Sequence, residues 1–227
     1  MNVETKLVIK VALGLLPIFA LVIRLLVILP CLQDETSRKA LDVLPPQSEG
    51  SSVMVLLGSG GHTGEMIRIL GNVQLAHFNR IWVTSSGDST SLLKCKDYES
   101  SIGENQYNAT FMTLHRARSV GEPLISSIKS TVTSFGSTVK QLASLPELPS
   151  VLLINGPGTC VPLAYILFGM KFFGLCQTRI VYIESLARVN SLSLSGKLVL
   201  PVADRFLVQW EPLSHQYKRV EYHGILI

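Results

Sequence analysis

Directly behind the uninterrupted apolar run Val53–Leu57, the chain reads Gly58-Ser59-Gly60-Gly61-His62-Thr63-Gly64-Glu65. A short apolar run that ends in glycines is the pattern of a strand covered on both faces. An amphipathic stretch follows, with Met66, Ile67, Leu70 and Val73 spaced to share one helical face. Strand, glycine turn and helix in this order form the opening unit of a wound parallel sheet. The glycines at 58, 60, 61 and 64 let the backbone approach a ligand and turn amides toward an anion, and the helix N-terminus adds partial positive charge. A phosphate or pyrophosphate is the natural occupant; the plainer reading is a tight connection whose glycines only relieve sterics.

The same alternation continues through Ile81–Thr84, Phe111–Leu114, Val151–Ile154, Arg179–Ile183 and Arg205–Val208, mostly with room for a helix between runs. The fold class is therefore α/β, one Rossmann-like parallel sheet whose ligands bind beyond the carboxyl ends of the strands. Two specific phosphate motifs can be checked. A P-loop needs a lysine after Gly64, where Glu65 stands. The dinucleotide fingerprint has Thr63 at its third glycine, and its second strand ends in Thr84, with Asp88 arriving too late. His62 can accept a proton from a sugar hydroxyl, because imidazole titrates near neutral pH, or it can donate to a phosphate or cap the helix. Glu65 reads as a carboxylate favoured by the helix dipole. A second glycine turn, Asn155-Gly156-Pro157-Gly158-Thr159-Cys160, follows the Val151–Ile154 strand, and two such loops can flank one anionic crevice.

The N-terminus has a different character. From Val11 to Leu32 the only charge is Arg24, and as a helix this stretch is about 33 Å long, enough for a bilayer core of roughly 30 Å. A span from Leu7 to Ile23 is the alternative, with Arg24 at the interface and Leu25–Leu32 on the membrane surface or against the domain; Pro17 is a candidate kink. The expected organisation is a membrane anchor at 1–32, a Pro- and Ser-rich linker at 33–52, and one domain at 53–227. A composition only 16% charged fits one span on one globular domain. Cys31, Cys95, Cys160 and Cys176 show no disulfide framework, which suits a reducing cytosol, while the sequon Asn108-Ala109-Thr110 points the other way. A net charge of +4 without basic runs argues against nucleic acid, and no metal site is expected.

Taken in order, GSGGHTGE at 58–65, NGPGTC at 155–160, Val181-Tyr182-Ile183-Glu184-Ser185, Leu194-Ser195-Gly196-Lys197 and Phe206-Leu207-Val208-Gln209-Trp210 closely resemble the asparagine-linked glycosylation protein 14 family. That resemblance implies the N-terminal half of a GT-B glycosyltransferase. It also implies the membrane subunit of the UDP-N-acetylglucosamine transferase that adds the second sugar to dolichyl-pyrophosphate-GlcNAc. Its place is then the endoplasmic reticulum membrane, continuous with the nuclear envelope, single-pass and facing the cytosol. The resemblance puts Gly58, Gly60, Gly61, His62, Thr63, Gly64, Gly156, Gly158 and Thr159 at the acceptor pyrophosphate. It sets Glu184 at the cleft between the halves, a second catalytic candidate beside His62, the plainer reading being a solvated turn acid. The family segment HRxxRS is one residue shorter here, His115-Arg116-Ala117-Arg118-Ser119, and offers Arg116 and Arg118 as phosphate contacts. The apolar tail, with Tyr222, Gly224, Ile225, Leu226 and Ile227, is implied to dock a donor-binding partner like asparagine-linked glycosylation protein 13. That partner would bind most of the UDP-GlcNAc, this chain would hold no cofactor and be inactive alone, and the first mannosyltransferase of the pathway would be a further neighbour. Length agrees, since about 175 residues remain after the linker, one domain where GT-B enzymes need two. A non-catalytic membrane recruiter and a dinucleotide-dependent oxidoreductase are the competing readings.

Overall fold

The computed structural model describes residues 3–33, 51–102, 108–115, 135–156 and 158–227. Most of the expected linker, together with Arg116, Arg118 and Pro157, lies outside the described residues. In chain order the elements are α1 (Val3–Ile28), β1 (Ser52–Leu57), α2 (Gly61–Leu70), β2 (Asn79–Ser85), α3 (Ser89–Ile102), β3 (Ala109–Leu114), α4 (135–143), β4 (Val151–Ile154), α5 (Cys160–Phe172), β5 (Arg179–Ile183), α6 (Leu194–Val199), β6 (Arg205–Val208), α7 (Glu211–Gln216) and β7 (Glu221–Tyr222).

The strands form a single parallel sheet in the order β3-β2-β1-β4-β5-β6-β7. β1 is buried along its whole length, and its residues alternate between two cores. Met54 and Leu56 pack with Leu163 and Leu167 of α5, Leu142 of α4 and Val199 of α6 on one face. Val53, Val55 and Leu57 pack with Met66 and Leu70 of α2 and Cys95 of α3 on the other. Apolar residues at both parities are what a strand sandwiched by helices requires, which is why its sequence runs apolar without alternation. In α2 the buried face is Met66, Ile69 and Leu70. Val73, expected on that face, lies past the helix end and is exposed.

Buried polar ties hold the layers in register. Arg80 of β2, only 3% exposed, forms a two-pronged pair with Glu99 of α3 (2.7 and 3.1 Å), which also accepts from the Trp82 indole at 2.5 Å. Lys171 of α5 binds Asp204 at 2.8 Å, and the other Asp204 oxygen accepts from the Ile180 amide of β5, also at 2.8 Å.

α1 runs without interruption through Pro17. The expectation of one helical span from Val11 to Leu32 does not hold. The helix stops at Ile28, Leu29 is extended, and Pro30–Leu32 forms a separate 3-10 turn. The reason is local, since a residue preceding proline is pushed out of the helical region. Ile28 and Leu29 pack against the domain core and Pro30 is buried, whereas side chains from Leu13 to Val27 are largely exposed. Among the described residues no helix is long and apolar enough to cross a membrane.

Candidate functional site

Strand order reverses direction between β1 and β4, which are hydrogen-bonded neighbours, so the loops leaving their carboxyl ends splay apart around a crevice. Those loops are the two glycine turns. In the first, Gly60 sits at φ +65°, a conformation open to glycine, and α2 starts at the next residue. Thr63, fully buried, donates its hydroxyl to the Gly58 carbonyl and shares a 2.5 Å hydrogen bond with Ser91. Its side chain shapes the loop from behind. Asp88 accepts from the Ser91 amide at 3.1 Å and from its hydroxyl at 2.7 Å, capping the start of α3.

The second loop meets the first directly. The Asn155 amide group donates to the His62 carbonyl at 3.1 Å. Gly156, at φ +66°, lies under the His62 ring so closely that a Cβ there would fall 2.2 Å from Cε1. Thr159 is buried and bonds Ser85 across the loop bases at 3.3 Å, while Gly158 is exposed. Two buried polar atoms at this junction, Nδ1 of His62 and Oδ1 of Asn155, have no hydrogen-bond partner among the described residues. Such atoms are costly unless a ligand or water completes them.

The loops open on a cleft of about 950 Å³, lined from the first by Gly60, Gly61, His62 and Gly64 and from the second by Gly156. Arg68 of α2, Lys94 of α3 and Arg188 after β5 bring positive charge to its walls. These three cations are missed by sequence reasoning, because each is a single residue on a different element and no motif links them.

The carboxylates are arranged differently from expectation. Glu65 reaches across the cleft floor, accepting from the Ser185 hydroxyl at 3.0 Å, the Leu186 amide at 2.6 Å and the Gln209 side chain at 2.5 Å. It is a tie between α2 and the turns after β5 and β6 rather than a carboxylate held by the dipole alone. Glu184, 1% exposed, accepts from the Ser185 amide at 3.1 Å, the Ser193 amide at 2.8 Å and the Ser193 hydroxyl at 3.0 Å. Both of its oxygens are engaged, so it holds the 185–193 loop, and it also lines the cleft.

The C-terminal tail ends beside this network. Gln209 also donates to the Glu184 carbonyl at 3.1 Å, and its own oxygen accepts from the Leu226 amide at 3.3 Å. Tyr222 lies in β7, Gly224 has φ +87°, Ile225 and Ile227 are exposed, and Ile227 lines the cleft.

The family described as "Oligosaccharide biosynthesis protein Alg14 like" matches residues 53–226. The chain belongs to the Alg14 family. Among its relatives, the UDP-N-acetylglucosamine transferase subunit ALG14 of Debaryomyces hansenii is 58% identical over the whole of both chains. The protein of the same name in Homo sapiens is 32% identical, covering 97% of this chain and 98% of its own. Of solved structures, Acinetobacter baumannii MurG shares the fold with a TM-score of 0.51 at 12% identity. The match spans 76% of this chain but 45% of that one, so the Alg14-family sheet corresponds to less than half of a GT-B glycosyltransferase.

Proposed function

We propose that this chain is the acceptor-binding, membrane-anchoring subunit of a heteromeric UDP-N-acetylglucosamine transferase that adds the second GlcNAc to dolichyl-pyrophosphate-GlcNAc. The reaction takes place at the cytosolic face of the endoplasmic reticulum, and a donor-binding partner supplies the other half of the cleft. The relatives' names support the reaction class, and the half-length match to a GT-B enzyme supports the split. The observation that carries the acceptor assignment is the junction of the two glycine loops, tied by Asn155 to His62 and closed by Gly156 under the imidazole.

In this reading the amides at the start of α2 and the cations Arg68, Lys94 and Arg188 hold the acceptor pyrophosphate. The acceptor sugar hydroxyl lies against His62. Its oxygen attacks C1 of the donor sugar, the bond from C1 to the UDP oxygen breaks with its electron pair leaving on UDP, and the hydroxyl proton passes to the imidazole. Glu184 and Glu65 keep the cleft walls in place. The apolar side chains exposed along α1 are the membrane contact, and the tail at Ile225–Ile227 meets the partner.

Reconstitution tests this. Purified chain, partner, UDP-GlcNAc and lipid acceptor together are expected to give transfer, and either protein alone none. His62→Ala in the complex is expected to lose about 10²–10⁴-fold in turnover while retaining acceptor binding. Full transfer by this chain alone, or unchanged turnover in His62→Ala, would sink the assignment.

A further inference from the structure

Arg24 is the lone charge between Val11 and Leu32, and α1 aims it at the domain. Its Nε donates to the Phe172 carbonyl and its Nη2 to the Lys171 carbonyl at 3.3 Å. These are last-turn carbonyls of α5, where the helix dipole favours a cation; the Lys171 carbonyl also accepts from the Gly174 amide at 3.1 Å. The guanidinium also lies over Gly174, where a Cβ would be 3.4 Å from Nη2. One helical turn further along, Ile28 and Leu29 pack into the core, and the Gln33 side chain closes the end of α1 by donating to the Val27 carbonyl at 3.1 Å. α1 is thus gripped by the domain at two levels about 6 Å apart.

The element it grips leads to the cleft. α5 starts immediately after the second glycine loop and ends at Arg24, a rigid strut of 13 residues and about 20 Å. Beside the grip, Phe173 is 71% exposed and Leu175 is 65% exposed, apolar side chains facing outward where α1 leaves the domain.

We infer that Arg24 is a positioning residue: by clasping the last turn of α5 it fixes the angle and height at which the domain leaves its anchor helix. Through α5 it thereby holds the glycine-loop cleft at a set place relative to a lipid surface that Phe173 and Leu175 touch. This inference rests on the anchoring reading above. A lipid-linked acceptor has its pyrophosphate fixed to the membrane plane, so it meets the cleft only when the domain sits at the right height. A short-chain acceptor free in water has no such requirement. A misplacement of 1 Å is enough to cost about 10²-fold in rate.

The test uses the full chain with its partner in phosphatidylcholine–phosphatidylserine vesicles, assayed with a long polyprenyl-pyrophosphate-GlcNAc embedded in the bilayer and with a water-soluble short-chain analogue. Arg24→Leu removes the clasp while keeping an apolar helix. The expected result is unchanged flotation with vesicles and a loss of about tenfold in kcat/KM on the embedded acceptor, with less than about twofold on the soluble one. Equal activity on both acceptors, or an equal loss on both, overturns the inference. Arg24→Lys, which keeps the charge and loses the fork, is expected to fall between wild type and Arg24→Leu on the embedded acceptor alone. It decides the matter if the leucine variant does not fold. Wild-type chain that fails to float overturns the anchoring reading itself, and this inference with it.

Discussion

Gly156→Ala puts the loop junction to its most direct test. Two costs can be worked from the geometry. The residue sits at φ +66°, where an alanine Cβ crowds its own carbonyl at about 1–2 kcal/mol. The new methyl would also stand 2.2, 2.4 and 2.8 Å from Cε1, Nδ1 and Nε2 of His62, against ordinary carbon contacts of roughly 3.5–4.0 Å. The ring therefore has to retreat by more than about 1 Å, an overpacking cost of about 1–3 kcal/mol. Together these give about 2–5 kcal/mol, and a chain of this size melts about 2–4 °C lower per kcal/mol. Thermal unfolding of the purified chain is expected to show a Tm lower by about 4–20 °C. Turnover in the reconstituted complex is expected to fall about 10²-fold, because the imidazole no longer faces the cleft as before. The clash is specific to the ring, so Gly156→Ala in a His62→Ala background should cost only the backbone contribution of about 1–2 kcal/mol. Additive effects in that double-mutant cycle, or a wild-type Tm for Gly156→Ala, would refute the contact.

Glu99→Ala removes the carboxylate that faces the buried Arg80 guanidinium and accepts from the Trp82 indole, while Arg80 keeps the Phe78 and Leu75 carbonyls at 2.7 and 3.3 Å; it is expected to cost about 3 kcal/mol in urea unfolding, and Glu99→Gln, which keeps an acceptor, less. Gly196→Ala would place a Cβ 2.5 Å from the Glu184 carboxylate and 3.2 Å from the Phe206 ring; turnover should drop with little change in partner binding by pull-down. Burial pushes the thiols of Cys95 and Cys160 well above their ordinary value of 9.0, so the folded chain holds those protons more tightly than the unfolded one. Their stabilisation is complete below pH 9 and is lost as pH rises above it, at about 1.4 kcal/mol per pH unit for each thiol. Urea titrations between pH 8.5 and 10.5 measure this slope, and replacing either cysteine with alanine should roughly halve it.

Strand positions were the most legible part of the chain. Val151–Ile154, Arg179–Ile183 and Arg205–Val208 are strands over those very limits, because each is an apolar run closed by turn residues, and burial on both faces leaves no other pattern. β7 is two residues long and held by pairing with β6, which local sequence does not encode. The break in α1 was in principle readable from Pro30, but an apolar run that continues to Leu32 hides it. In the site, the glycine loops announce themselves by composition. What their side chains do is set by partners far along the chain: Glu65 by residues 185, 186 and 209, Glu184 by Ser193, and Thr63 by Ser91. A carboxylate that binds ligand and one that ties two turns together look the same in sequence, and only the donors brought by the sheet distinguish them.

Gln209 shows how the tail and the cleft belong to one device. Its amide group donates to Glu65, on the helix that carries the first glycine loop, and to the Glu184 carbonyl, while its oxygen receives the Leu226 amide of the tail. An amide side chain is the right group for this position, because a carboxylate would repel Glu65 and an apolar residue would leave both Glu65 and Leu226 short of a partner. Under the proposed function, a partner seated on Ile225 and Ile227 rests on the residue that steadies Glu65, so docking and the ordering of the acceptor loop are linked through a single buried side chain. In that same reading the linkage gives a physical reason for the chain to need its partner, since Ile227 lines the cleft on the side where the partner is proposed to sit.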